Sequence, residues 1–189
     1  FTTGYLTAEE RLSAKKYRLA IPNAEIRDLF GSQVKEWFAE RIIREPDKLS
    51  ALCDALLAGD EEQVQKRMTD YLKQTISIRD TNARASKKEH FYHGMLLGLL
   101  SYPDNWSVKS NAESGEGFSD ILIEDMEKDI GVVIEVKYAE EGRFDVVCAE
   151  ALRQIEEKNY AAVLCDDGME KIVKYGIAFY KKRCKVLKA

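Results

Sequence analysis

The sequence predicts an α/β domain, a mixed four-stranded sheet flanked by helices, preceded by a small, mainly helical subdomain. Three observations carry this. Residues 87–189 read in the order helix, strand, strand, strand, helix, strand, strand. The stretch "GVVIEVKYA" is rich in β-branched residues and reads as a buried central strand. Residues 1–86 instead carry apolar positions that recur at three and four, the period of amphipathic helices.

Taken in order, residues 3–21 have an apolar or aromatic segment at each end of a polar turn region, the pattern of a small hairpin. Pro22 and Asn23 signal a helix start, and Ile26, Leu29, Phe30, Val34, Trp37 and Phe38 continue the helical period. Residues 47–58 predict a second helix with Asp47 as its N-cap, and Gly59 and Asp60 break it. Residues 60–76 predict a third, with Val64, Met68, Tyr71, Leu72 and Ile76 on one face. The polar, aperiodic "IRDTNARASK" places a domain boundary between 1–86 and 87–189. Beyond it, residues 87–102 read as a buried helix, and "SVKSNAESGEGFSDILIEDME" as two strands around a turn at Gly115 and Gly117. The strand "GVVIEVKYA" follows. "FDVVCAEALRQIEEKNYAAVL" reads as one long helix with Val147, Ala151, Ile155 and Tyr160 inward, and "IVKYGIAFYKKRCKVLKA" as a bent strand or a hairpin.

The formal net charge of −4 argues against a protein that holds nucleic acid by bulk charge, though not against an enzyme with a local basic groove. Cys53, Cys148, Cys165 and Cys184 show no CxxC spacing, so neither a zinc site nor a compact disulfide framework is indicated. Reduced thiols in a cytoplasmic protein are the expectation. The longest apolar run, "MLLGLL", is too short to cross a bilayer, so no membrane partner is expected. The start "FTTGYLT", without an initiator Met, suggests a fragment whose upstream part is missing. No GxxxxGK[ST] motif is present, which excludes P-loop ATP hydrolysis by this stretch.

The chemistry sits in "IEVK". Side chains alternate along a strand, so Glu135 and Lys137 share one face, opposite Ile134, Val136 and Tyr138. Charges on a buried strand are costly unless they are paired or bound to metal. Asp120, in "GFSDILIE", comes near Glu135 if the two strands form a hairpin. Two carboxylates beside a lysine make a plausible Mg²⁺ site, because Mg²⁺ takes oxygen ligands and shares them with substrate phosphate and water. The plainer alternative is a surface edge strand that tolerates Glu-x-Lys.

"GFSDILIE" followed by "IEVK" resembles the Asp…Glu-x-Lys core of the PD-(D/E)XK nuclease superfamily. "EHFYHGMLLGLL", "VKSNAESGEGFSDILI", "VVIEVKYAE", "ALRQIEEKNYA" and "VKYGIAFYKKRCKV", with "TGYLT" and "YRLAIPNAEIRDLF" upstream, resemble one bacterial and archaeal group in which that domain follows an ATPase-like domain of AAA type. The resemblance implies a restriction-endonuclease-like fold and a Mg²⁺- or Mn²⁺-dependent nuclease acting on DNA in the first place and RNA second. It implies that Asp120, Glu135 and the main-chain carbonyl of Val136 bind metal and that Lys137 positions or deprotonates the attacking water. Glu89 matches the first-motif glutamate, and Gln154 the polar residue on the helix after the lysine strand. The departure is Phe118, where the group carries a basic residue two positions before the aspartate. The alternative function is a non-catalytic nucleic-acid-sensing or regulatory module of a larger ATPase.

Other candidates have ordinary readings. Glu113 and Glu116 could assist a second metal but fit a solvated turn. His90 and His93, three apart on one helix, invite a metal reading but lack a third ligand nearby; His93 reads as a packed or hydrogen-bonding residue beside the site. The lysines and arginine of "KKRCK" suit either phosphate contact or protection of an edge strand.

Overall fold

The computed structural model describes residues 7–13, 16–20, 45–75, 85–114 and 117–189. The chain divides into two compact units, Phe1–Arg44 and Glu45–Ala189. In the first, β1 (Thr7–Ser13) and β2 (Lys16–Ala20) pair antiparallel, with Thr7 opposite Ala20, as the hairpin reading of this segment expects. The helix expected from Pro22 onward, and Ile76, lie outside the described residues.

The second unit opens with α1 (Pro46–Ala58) and α2 (Glu61–Thr75). Pro46 takes the first helical position, where its missing N–H costs nothing. Asp47 is therefore not the cap. It lies in the first turn, where its charge still complements the helix dipole. Gly59 ends α1 at φ 80° and donates to the carbonyls of Ala55 and Leu56. Asp60 then opens α2 by accepting the Gln63 N–H at 3.0 Å. Val64, Met68 and Leu72 are the buried stripe of α2, while Tyr71 is half-buried.

The sheet follows α3 (Ala85–Leu100) and runs in the order β3 (Trp106–Ser114), β4 (Gly117–Asp125), β5 (Ile130–Tyr138), β6 (Lys171–Tyr180), β7 (Arg183–Lys188). Three junctions are antiparallel and β5–β6 is parallel. The sheet has five strands rather than the expected four. The closing segment is a hairpin, turned with Lys181 at φ 54°, and β7 lies back against β6 with Tyr180 opposite Arg183.

The β5–β6 crossover also departs from expectation. It is two helices, α4 (Phe144–Glu157) and the short α5 (Ala162–Asp166), because Asn159 adopts φ 50° and turns the chain. Ala151, Ile155 and Tyr160 are buried as expected, and Val147 is half-buried. Ile155, Tyr160, Leu164 and Met169 close over Leu122 and Val133 on one face of the sheet. Gly176 lets α4 approach β6, since a Cβ there would meet the Cys148 carbonyl at 2.5 Å.

The opposite face is covered by the other three helices. Tyr92 of α3 stacks on Phe179 of β6, centroids 4.6 Å apart. The Tyr175 hydroxyl donates to the Leu56 carbonyl of α1 at 2.8 Å, and Gln65 of α2 accepts the Val186 N–H at 3.1 Å. The compact unit thus begins at Glu45, ahead of the 86/87 boundary that composition suggests. Cys53, Cys148 and Cys184 are buried free thiols, and Cys165 is exposed. Among the described residues no helix is long and apolar enough to cross a membrane.

A fragment 87–189 should melt well below a fragment 45–189 and bind a hydrophobic dye, because it lacks the buried stripe of α2 and the acceptor for Tyr175. Thermal unfolding of the two side by side is the check, and equal melting temperatures would reassign α1 and α2 to a dispensable appendage.

Candidate active site

The site arises where β4 leaves β5. The two strands pair antiparallel from Asp125–Ile130 to Ile121–Ile134, and there the register ends. Leu122 and Val133, paired in that register, face α4 and α5. By alternation Asp120 on β4 and Glu135 and Lys137 on β5 face the same side. Beyond Ile134 the edge of β5 that faced β4 needs new acceptors. Asp120 Oδ2 accepts the Val136 N–H at 2.8 Å. Glu89 Oε2, from α3, accepts the Tyr138 N–H at 3.1 Å. Lys137 Nζ donates to Glu135 Oε1 at 2.8 Å. Four of the residues singled out in the sequence, Glu89, Asp120, Glu135 and Lys137, therefore meet at one strand end.

Their electrostatics are coupled. Glu135 is only 2% exposed, and its Oε2 is buried with no hydrogen-bond partner. Burial, reinforced by the charge of Asp120, pushes its carboxyl up to about 7, although Lys137 pulls the other way. Burial alone would lower Lys137. The hydrogen bond and charge of Glu135, with the charges of Glu89 and Asp120, outweigh it and raise the ammonium above its ordinary value. Lys137 is thus protonated at neutral pH in the metal-free protein.

The donor set fits Mg²⁺ or Mn²⁺ in kind. It offers carboxylate oxygens of Asp120 and Glu135, one of them buried and unpartnered. Ala139 donates to Phe179 of β6, so even-numbered residues of β5 point to the opposite edge, and the Val136 carbonyl joins the carboxylates on that side. Among the described residues no group of three or more His, Cys, Asp or Glu side chains is arranged to hold a metal. A cation here would rest on two carboxylates and a main-chain oxygen, with substrate and water completing its shell.

The remaining candidates fall elsewhere. Gln154 Nε2 donates to the Tyr160 hydroxyl at 3.2 Å, and Tyr160 in turn packs where a Cβ on Gly117 would be, 3.2 Å from its hydroxyl. Gln154 thus braces the start of β4 through Tyr160. Glu116 and the side chain of Glu113 lie outside the described residues. His90 is exposed on α3, while His93 Nε2 lies 3.0 Å from the Asp120 carbonyl oxygen and 3.2 Å from Ser110 Oγ. The carbonyl can only accept, so Nε2 carries the proton. His93 therefore fixes the backbone of Asp120. Ser110, on β3, gave no sequence signal, because only the β3–β4 register brings it to His93.

A mixed sheet flanked by helices with Asp, Glu and Lys at a central strand end defines a restriction-endonuclease-like α/β domain. The model of the PD-(D/E)XK nuclease superfamily matches residues 87–189, and the chain belongs to that superfamily. A search of curated proteins gives no match.

In metal-free protein the Glu135 carboxyl should titrate near 7, against 4.5 ordinarily. A carboxyl raised on folding contributes stability that is full below about 4.5 and lost as pH rises through about 7. The carboxyl carbon resonance, followed by NMR with Glu135→Gln as the assignment control, measures this, and a midpoint below 5 would refute it. His93→Ala should weaken Mn²⁺ binding about tenfold, the scale of supporting-shell losses. His93→Gln, which keeps an N–H for the Asp120 carbonyl, should recover most of it in the same calorimetric titration.

Proposed function

We propose that the chain is a metal-dependent nuclease that hydrolyses phosphodiester bonds in DNA, with RNA as the second choice. The observation that carries this is the convergence of Asp120, Glu135, Lys137 and Glu89 where β4 parts from β5. Asp120, Glu135 and the Val136 carbonyl are the residues that would hold Mg²⁺ or Mn²⁺, which when bound supplies charge neutralisation at the scissile phosphate and a more acidic water.

The protein groups do the positioning. The Lys137 ammonium, steered by Glu135, offers N–H donors to the attacking water and to charge developing on the phosphate. A protonated lysine serves here by donation rather than as the base. Glu89 holds the end of β5 through Tyr138, so Lys137 is fixed on both sides along the chain. His93 fixes Asp120 through its carbonyl. Gln154 supports this arrangement through Tyr160 rather than at the reacting atoms.

The sequence resemblance of residues upstream of 87 supports a larger protein in which an ATPase-like domain of AAA type precedes this one. The second reading, a nucleic-acid-sensing or regulatory module without catalysis, draws on the net charge of −4 and on Phe118 standing where the similar group has a basic residue.

Lys137→Ala should cut the rate of DNA cleavage by about a hundredfold or more, the usual loss when a donor to developing charge is removed. Asp120→Ala and Glu135→Ala should also abolish the dependence on added Mn²⁺. Labelled single- and double-stranded DNA and RNA, incubated with each variant, read this out. Cleavage that persists unchanged in all three variants would remove the assignment.

A further inference from the structure

From the site a row of aromatic rings runs along the C-terminal ends of β5 and β6 to α4. Tyr138 follows Lys137 directly in the chain. Its ring lies 5.8 Å from that of Tyr180, and Tyr180 lies 6.4 Å from Phe144. All three rings are half-buried. Each has a cation over it: Lys88 Nζ 4.7 Å from the Tyr138 centroid, Lys181 Nζ 5.0 Å from Tyr180, and Arg183 Cζ 5.5 Å from Phe144. The three pairs draw on six parts of the chain: Lys88 of α3 with Tyr138 of β5, Lys181 of the β6–β7 turn with Tyr180 of β6, and Arg183 of β7 with Phe144 of α4.

What sets these three cations apart is the ring beneath each, since Lys66, Lys128, Lys158 and Lys185 also lack an ion-pair partner among the described residues. Lys48, Lys109, Lys137, Arg153 and Lys174 each have a carboxylate within ion-pair distance. Among the described residues no such partner exists for Lys88, Lys181 or Arg183, although Glu140, Glu141 and Asp145 lie in the neighbouring connection and first turn of α4. In a chain of net charge −4, three uncompensated cations over three neighbouring rings are a local reversal. The contact of an exposed cation with a ring is weak and readily exchanged for a phosphate.

We propose that this row is the track of a single-stranded nucleic acid leaving the active site, with bases against Tyr138, Tyr180 and Phe144 and phosphates on Lys88, Lys181 and Arg183. This rests on the nuclease reading for the direction of the strand but not for its binding. The rings are inclined to one another, by 47° between Tyr138 and Tyr180 and by 79° between Tyr180 and Phe144, so each would take a base on its own face and successive bases would be unstacked from one another. Aromatic platforms interleaved with cations bind single strands of any sequence, because every base has a face to stack.

The test is binding of a fluorescent oligothymidylate to the full chain without divalent metal, measured by anisotropy across a salt series. For single strands each phosphate contact contributes about 0.7 to the slope of log K against log salt. Lys88→Gln with Lys181→Gln and Arg183→Gln should lower that slope by about 2, with Lys48→Gln as the unaffected control. Phe144→Leu should weaken binding severalfold and leave the slope unchanged, and far-UV circular dichroism confirms that each variant is folded. An unchanged slope in the triple variant overturns the track, as does wild-type protein that fails to bind. A duplex of equal length that binds tighter than the single strand, with the same loss of slope, overturns the single-strand assignment. Because no cleavage is read, a chain that binds through this row but never cuts keeps the track and loses the nuclease. A chain that cuts with an unaltered slope does the reverse.

Discussion

The local constraint on which the site depends is the unmet hydrogen bonding of β5 beyond Ile134. Once β4 diverges, the Val136 and Tyr138 N–H groups face a gap inside a covered sheet. A buried amide left unpaired costs on the order of 1–3 kcal/mol. Here both are satisfied by carboxylates, Asp120 from the departing strand and Glu89 from α3. The divergence thus recruits negative charge to the middle of the domain. Those charges in turn hold Lys137 as an ammonium beside Glu135.

Such an arrangement is a poor way to stabilise a fold. Taking charges out of water is rarely repaid in full by their mutual attraction, and well-packed apolar residues at the same positions are often at least as stable. The orphaned Oε2 of Glu135 and the upward push on its carboxyl show the imbalance directly. The contrast with Lys109 is instructive. Lys109 meets Glu124 and Asp167 at the half-exposed edge of β3 and β4, where all the charges have carboxylate or ammonium partners. That network closes on itself. The one at the end of β5 leaves an acceptor over, an oxygen that a bound cation would satisfy.

Much of this was legible in the sequence because it is local. Alternation along "IEVK" puts Glu135 and Lys137 on one face, and hairpin pairing of neighbouring strands brings Asp120 across. Both follow from a period of two and a short turn. What was not legible depends on long-range packing. Glu89 was visible only through family resemblance, and its bond to the Tyr138 backbone is set by how α3 crosses the sheet. Gln154 too was visible only through family resemblance. The left-handed Asn159 folds Tyr160 back beside α4 and gives the Gln154 amide an acceptor there. The amphipathic stripes of α1 and α2 declare a buried face without saying what buries it. Only the contacts with Tyr175 and Val186 show that they cover β6 and β7.

That cover also explains why the chemistry sits at a strand end. A central strand shared by parallel and antiparallel neighbours is apolar on both faces when both are covered. Ile121, Ile123, Ile134 and Val136 against Leu122 and Val133 fulfil this on β4 and β5. Neither face of that core has room for a carboxylate with a water-filled side. The C-terminal ends of β5 and β6 are different: burial falls from Val136 to the half-buried Lys137 and Tyr138, and from Phe179 to Tyr180. Over two residues the chain passes from a dry interior that raises the energy of Glu135 to a rim where cations stand over aromatic rings. On the proposed nuclease reading, a phosphate entering across that rim would meet positive charge first and the acidic pair last. A cation shared between the carboxylates and that phosphate would reconcile the two, and it would use both the buried unpartnered oxygen and the basic rim.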